Sequence, residues 1–220
     1  MHKTVQNLIN IQNLIKSKQS VLINNKIIPR IIAVSKTFKL NHISPLIEYG
    51  HIDYGENKVQ EAVEKWSEIK SKNNKIKLHL IGKLQTNKVK VALQLFDYIH
   101  SIDNEKLATK ISNEQIKQNL RPKLFIQVNI GNEHQKSGIQ VEKLDDFYNF
   151  CKEINLDIIG LMCIPPIDHD PETSFLKMDN LKKKMNLPEL SMGMSSDYLN
   201  AIKYHSTFLR IGSSIFGARS

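Results

Sequence analysis

One regularity constrains this chain more than any other. Short β-branched and apolar runs alternate with polar stretches of helical spacing, at intervals of about twenty to thirty residues. The runs are Arg30 to Ser35, a short one near Asp53, Lys77 to Ile81, Tyr98 to Ile102, Lys123 to Ile130, Asp157 to Cys163, Glu189 to Met192 and Thr207 to Ile211, eight in all. Helical segments fit between them. Residues 57–69 carry Val59, Ala62, Val63 and Trp66 on one face, and 104–118 carry Leu107, Ala108, Ile111 and Ile116. Ahead of the first run, Val5, Leu8, Ile9, Gln12 and Ile15 form the stripe of an amphipathic helix.

Eight strands with intervening helices predict a (β/α)8 TIM barrel, one domain over residues 1–220 with an extra N-terminal helix. The competing arrangement is an open doubly wound sheet. That fold usually announces a dinucleotide through GxGxxG, a spacing the nine glycines never take, and no GxxxxGK[ST] loop occurs either. With 40% hydrophobic and 24% charged residues the chain reads as globular, long enough to bury roughly 70% of its unfolded surface.

No apolar run approaches the roughly 18 residues that span a bilayer, so no membrane association is expected. The N-terminus lacks an unbroken apolar stretch and a small-residue cleavage site, which predicts a cytoplasmic protein. Cys151 and Cys163 are too few for a disulfide framework and too far apart for a CxxC motif. No histidines sit in HExxH or another ligand spacing, so no metal site is expected. The net charge of +9 raises the question of nucleic acid, but the lysines spread along the whole chain, only Lys182 to Lys184 form a tight run, and aromatics do not interleave with them. A solvated surface is favoured over a nucleic-acid site.

In a barrel, chemistry collects at the C-terminal ends of the strands, where loops vary without breaking the sheet. The first run delivers Lys36 from the apolar wall of Ile31 to Val34, where desolvation favours a neutral, nucleophilic amine able to form a Schiff base. The alternative is a packed stem with its head in water. The seventh and eighth runs end in Gly193, Met194, Ser195 and in Arg210, Gly212, Ser213, Ser214: small residues, hydroxyls and exposed N–H groups that suit a phosphate cup. Ser195 or Ser196 and Ser213 also suit helix N-caps. A phosphate at one side of the mouth and an aldehyde-seeking lysine at the other point to pyridoxal phosphate (PLP). His79 reads as a hydrogen-bonded interior histidine, and Lys88 and Lys136 as surface residues, with a transient second pyridoxal phosphate site as the alternative.

Several segments carry a resemblance: AVSKTF (33–38), YGENKVQEAVEK (54–65), HLIGKLQTNK (79–88), QVN (127–129) with KSGI (136–139), GLMCIPP (160–166), LSMGMSSD (190–197) and STFLRIGSSIFGAR (206–219). In order and content they resemble the YggS/PROSC family of pyridoxal phosphate homeostasis proteins. The resemblance implies a barrel like the N-terminal domain of alanine racemase, without that enzyme's second domain. It implies PLP as cofactor, held as a reversible Schiff base on Lys36. Ser195, Gly212 and Ser213 match the phosphate contacts, with Met194 beside them; Arg210 matches the arginine near the pyridine nitrogen, and Asn57 falls in a motif at the cofactor's other edge. Lys83 stands where many members carry proline, and Phe38 where a lysine or another polar residue often follows. The implied role is carrier or buffer in vitamin B6 homeostasis, as a monomer, with PLP-dependent apoenzymes as candidate recipients.

An arginine cannot accept a hydrogen bond, so at the pyridine nitrogen it leaves that nitrogen unprotonated and the ring a weak electron sink. No robust catalysis is therefore expected. The alternative is a PLP-dependent amino-acid racemase or lyase, which would need a second base from a domain this length does not accommodate. Arg210 could also cap a strand or pair with Asp197 or Glu56.

Overall fold

The structure, a computed structural model, describes residues 1–22, 28–133, 135–166 and 169–218, with side chains left aside at 19–22. Arg219, at the end of the C-terminal motif, lies outside the described residues. The strands are β1 (Arg30–Val34), β2 (Asp53–Glu56), β3 (Lys77–Leu80), β4 (Tyr98–Ile102), β5 (Lys123–Asn129), the two-residue β6 (Ile139–Gln140), β7 (Ile158–Cys163), β8 (Glu189–Ser191) and β9 (Phe208–Ile211). The described helices are α1 (Lys3–Leu22), α2 (Leu40–Tyr49), α3 (Val59–Lys72), α4 (Val89–Leu95), α5 (Glu105–Gln118), α6 (Leu144–Glu153), α7 (Pro171–Lys184), α8 (Tyr198–Lys203) and α9 (Ser213–Phe216). No helix among the described residues is long and apolar enough to cross a membrane.

All pairings are parallel, and a β4–β5 pairing closes the sheet into a barrel of eight strands, with β6 added at the end of β5. The eight runs read from the sequence are these barrel strands. The short β6 starts at Ile139, the last residue of the KSGI segment, and had no periodicity to announce it.

Strand alternation splits the core in two. Ile31 and Ala33 belong to the large layer between strands and helices, while Ile32 joins Phe125, Met162 and Phe208 in a small cluster inside the barrel. The inward series of β1 is thus Arg30, Ile32 and Val34, and its next member is Lys36, just past the strand.

Helix α1 buries Val5, Leu8, Ile11 and Ile15, three of them as expected; Ile11 is covered in place of Ile9 and Gln12, which are only partly so, and the stripe is rotated by about 40° from the one expected. It packs on α2, α8 and α9, and the Asn7 amide donates to the Ile215 carbonyl at 2.9 Å. Because α9 is a single turn, α1 completes the outer ring over the β9–β1 seam. Helix α5 is N-capped by Asn104, which accepts from the Leu107 N–H at 2.9 Å; Leu107, Ala108 and Ile111 are buried as expected, but Ile116 faces solvent.

Candidate functional site

All seven residues singled out from the sequence, Lys36, Asn57, Met194, Ser195, Arg210, Gly212 and Ser213, line one cavity of about 520 Å³ at the C-terminal mouth of the barrel. Val34, Phe38, Ile81 and Ile164 supply its apolar walls. Phe38, at the position that departs from the family pattern, is stacked on Phe216 with centroids 4.9 Å apart.

Lys36 is half-buried, in a turn whose neighbours are tied down from α3. The Lys65 ammonium donates to the Ser35 carbonyl at 2.9 Å, to Glu56 at 2.9 Å and to Glu61 at 3.0 Å. Ser35 Oγ and the Trp66 indole donate to the same buried Glu56 oxygen, at 2.7 and 2.9 Å. Glu61 accepts the Thr37 N–H at 2.6 Å, which holds Thr37 at a left-handed φ of 69°. Burial alone would raise the Glu61 carboxyl, but the Thr37 N–H and Lys65 outweigh it and hold it below the usual range. Sequence reasoning missed this clamp. Its signal was available in the Glu61/Lys65 spacing of four on the face of α3 nearest β1.

Asn57 reaches the cavity because the loop after β2 touches the loop after β3. A Cβ at Gly82 would lie 2.3 Å from the Asn57 carbonyl oxygen, so only glycine permits that approach.

On the opposite side the loops after β8 and β9 are cross-linked. Ser195 Oγ accepts from the Gly212 N–H at 3.2 Å and the Ser214 N–H at 3.3 Å, and Ser214 Oγ donates to the Ser195 carbonyl at 3.4 Å. Two backbone N–H groups thus converge on one oxygen atom, the arrangement that receives an anion. Neither turn is a side-chain N-cap: the caps of α8 and α9 are Asp197 and Gly212, without side-chain bonds. Asp197 instead accepts the Met194 N–H at 2.6 Å. Gly193, at φ 91°, bends this loop over the mouth, where a Cβ would lie 2.6 Å from that of Ala201.

Arg210 lies buried at the floor. It donates from Nη1 to the Ser191 carbonyl at 2.7 Å and to Ser191 Oγ at 2.8 Å, and from Nη2 to the Cys163 carbonyl at 2.7 Å. It pairs with neither Asp197 nor Glu56. Burial lowers its pKa, opposed by Cys163 and Asp197, and the group stays cationic. These three bonds use three of its five N–H hydrogens, leaving the one on Nε and one on Nη2, and the side chain lines the cavity.

Beneath Arg210, His79 is buried and hydrogen-bonded as expected, to Asp53 at 2.9 Å and to His100 at 3.0 Å. Lys136 lies in an adjoining cavity of about 390 Å³ that shares Asn57, Ile81 and Ile164, and is ion-paired to Glu133 at 2.7 Å. Burial pushes the thiols of Cys151 and Cys163 up to about 12, which makes them inert.

The family model of the alanine racemase N-terminal domain matches residues 7–220. The chain is 38% identical over 200 residues to the pyridoxal phosphate homeostasis protein of Aquifex aeolicus (strain VF5), covering 86% of this chain and 87% of that one. It is 39% identical over 203 residues to the protein of the same name from Haemophilus influenzae, covering 87% and 85%. Among solved structures, PipY of Synechococcus elongatus PCC7942 with PLP bound superposes with a TM-score of 0.83 at 29% identity, over 97% of this chain and all of that one. Alanine racemase of Clostridium difficile 630 shares the fold, with a TM-score of 0.75 at 14% identity over 99% of this chain and 57% of its own. The chain therefore belongs to the alanine racemase N-terminal domain family and, within it, to the pyridoxal phosphate homeostasis proteins.

Proposed function

We propose that this chain holds pyridoxal 5′-phosphate reversibly on Lys36 and serves vitamin B6 homeostasis as a carrier or buffer. The observation that carries the reading is a single cavity placing Lys36 opposite two cross-linked N–H turns, with the donor-only Arg210 at its floor. These residues fit the cofactor in kind: an amine for an aldehyde, converging N–H groups and hydroxyls for a phosphate, an N–H donor for a ring nitrogen, and apolar walls for a flat ring. Bound there, pyridoxal phosphate supplies an aldehyde that an amine captures reversibly.

Each residue then has a task of its own. Lys36 presents its amine from a turn fixed by Lys65, Glu56 and Glu61. Gly212 and Ser214 offer their N–H groups to the phosphate, and the Ser195 hydroxyl turns with them; Ser213 adds a second hydroxyl. Arg210 donates to the ring nitrogen and keeps it unprotonated. Asn57 and Met194 line the remaining edges, and Val34, Ile81 and Ile164 exclude water from the ring faces. Held this way the ring is a poor electron sink, which suits storage better than carbanion chemistry.

The test is borohydride reduction followed by peptide mass spectrometry, with a pyridoxyl group expected on Lys36. An adduct on another lysine, or none, would overturn the assignment. Lys36→Ala is expected to abolish absorption at the visible edge. Ser213→Ala should weaken retention a few-fold with the adduct still on Lys36. Sustained deuterium exchange at Cα of an added amino acid would replace the carrier reading with that of a racemase or lyase.

A further inference from the structure

The barrel interior carries a row of polar groups that cofactor binding at the mouth does not by itself require. Four hydrogen bonds run in series from the C-terminal mouth toward the N-terminal face: Arg210 Nη1 to Ser191 Oγ at 2.8 Å, Ser191 Oγ to His100 Nδ1 at 2.9 Å, His100 Nε2 to His79 Nδ1 at 3.0 Å, and His79 Nε2 to Asp53 Oδ1 at 2.9 Å. Both imidazoles and Ser191 are fully buried, and Arg210 and Asp53 are nearly so. Aromatic rings clamp them flat, His79 on Tyr98 at 4.3 Å and 7°, His100 on Phe125 at 4.2 Å and 10°.

The two ends determine the proton order of everything between them. A guanidinium only donates and a carboxylate only accepts. Asp53 is a carboxylate: burial alone would raise its pKa, but hydrogen bonds from His79 and then Arg30 outweigh that. His79 must therefore donate from Nε2 and accept at Nδ1; His100 does the same; and Ser191 gives its hydroxyl hydrogen to His100 while its oxygen accepts from Arg210. One arrangement of hydrogens satisfies all four links with both imidazoles neutral. Each acceptor is strengthened by the donation its own group makes further down the row.

From this we infer that Asp53, His79, His100 and Ser191 are positioning residues for Arg210: a one-way relay in which a carboxylate at the far end of the barrel sets the orientation of the guanidinium at the mouth. With Nη1 engaged by Ser191 and Nη2 by the Cys163 carbonyl, the guanidinium is held in one orientation at the cavity that it lines. The inference rests on the proposed cofactor site, because the group that Arg210 would address is the ring nitrogen of the bound cofactor.

Two measurements test it. The first needs no cofactor: ¹⁵N NMR of the imidazoles in the whole protein should show His79 and His100 each protonated at Nε2 and bare at Nδ1. A hydrogen on Nδ1 of either, or a second proton on either at neutral pH, overturns the relay. The second is optical. His100→Leu and the milder Ser191→Ala should each shift the absorption maximum of the loaded protein and weaken retention about tenfold, the size of one charge-assisted hydrogen bond, with the pyridoxyl adduct still on Lys36. Tyr98→Phe keeps the ring stacked on His79 but has no place in the proton order, and should leave the maximum unmoved. If the relay variants only lower the melting temperature and the maximum stays put, the residues are structural and the inference fails. If the unsubstituted protein yields no Lys36 adduct, the cofactor reading fails while the NMR result still stands or falls alone.

Discussion

A lysine becomes useful as a point of capture only if its backbone holds still, and here the immobilising groups are on another element. The Lys65 side chain is 9% exposed, and its ammonium bonds three oxygens at once, one of them on the fully buried Glu56. Lys65→Met keeps the stem but strands Glu56 as a buried carboxylate without its counter-charge, which costs about 3 kcal/mol. The expected result is a large fall in the denaturant midpoint together with slower trapping of the cofactor by borohydride. Glu61→Gln separates the two effects. It preserves the shape while weakening the grip on the Thr37 N–H, so trapping should slow with little change in the midpoint; equal trapping by both variants and the parent would show that the turn needs no clamp. At this scale the sequence announced the groups that face the cavity, because residue type and strand-end position are local. It did not announce their supports. Glu56 closes β2, Glu61 and Lys65 show only a helical spacing of four that does not name what they hold, and His100 and Ser191 meet across 91 residues.

The elements were legible because each has its own period. Eight barrel strands and the helices between them follow from alternation alone, whereas β6 is only two residues long and is defined by its partner β5. The rotation of α1 was set by tertiary contact: Ile9 and Ile11 fit the apolar stripe equally well until α2, α8 and α9 decide which is covered. That contact carries a stability consequence. Leu8 is wholly buried where α1 closes the ring beside the single turn of α9, so Leu8→Ala should cost about 3 kcal/mol by opening a cavity there. Since α9 also supplies Ser213 and Ser214, the same variant should loosen phosphate retention. If α1 were an ornament, urea denaturation would show a loss nearer that of an exposed leucine, and retention would match the parent.

Across the whole molecule, the barrel encloses a small apolar cluster and a charged row where most of its volume could have been aliphatic. Such an interior is acid-sensitive in a definable window. Burial lowers the pKa of His51 and His79, and that of His100 falls well below its ordinary 6.5. The folded state therefore keeps these rings neutral at pH values where the unfolded chain takes up protons. With more protons bound in the unfolded state, stability is fully present above about pH 6.5 and declines as pH falls below it, by up to about 1.4 kcal/mol per pH unit for each ring. Asp53, whose carboxyl is held below its usual range, adds a second loss only in more acidic solution, below its ordinary 3.8. Urea midpoints measured from pH 8 to pH 5 should be level at first and then fall, and His100→Leu should reduce the slope of the fall whatever it does to absolute stability. A profile that stays level to pH 5, or a slope unchanged in that variant, would mean that the buried imidazoles already carry their protons in the folded protein.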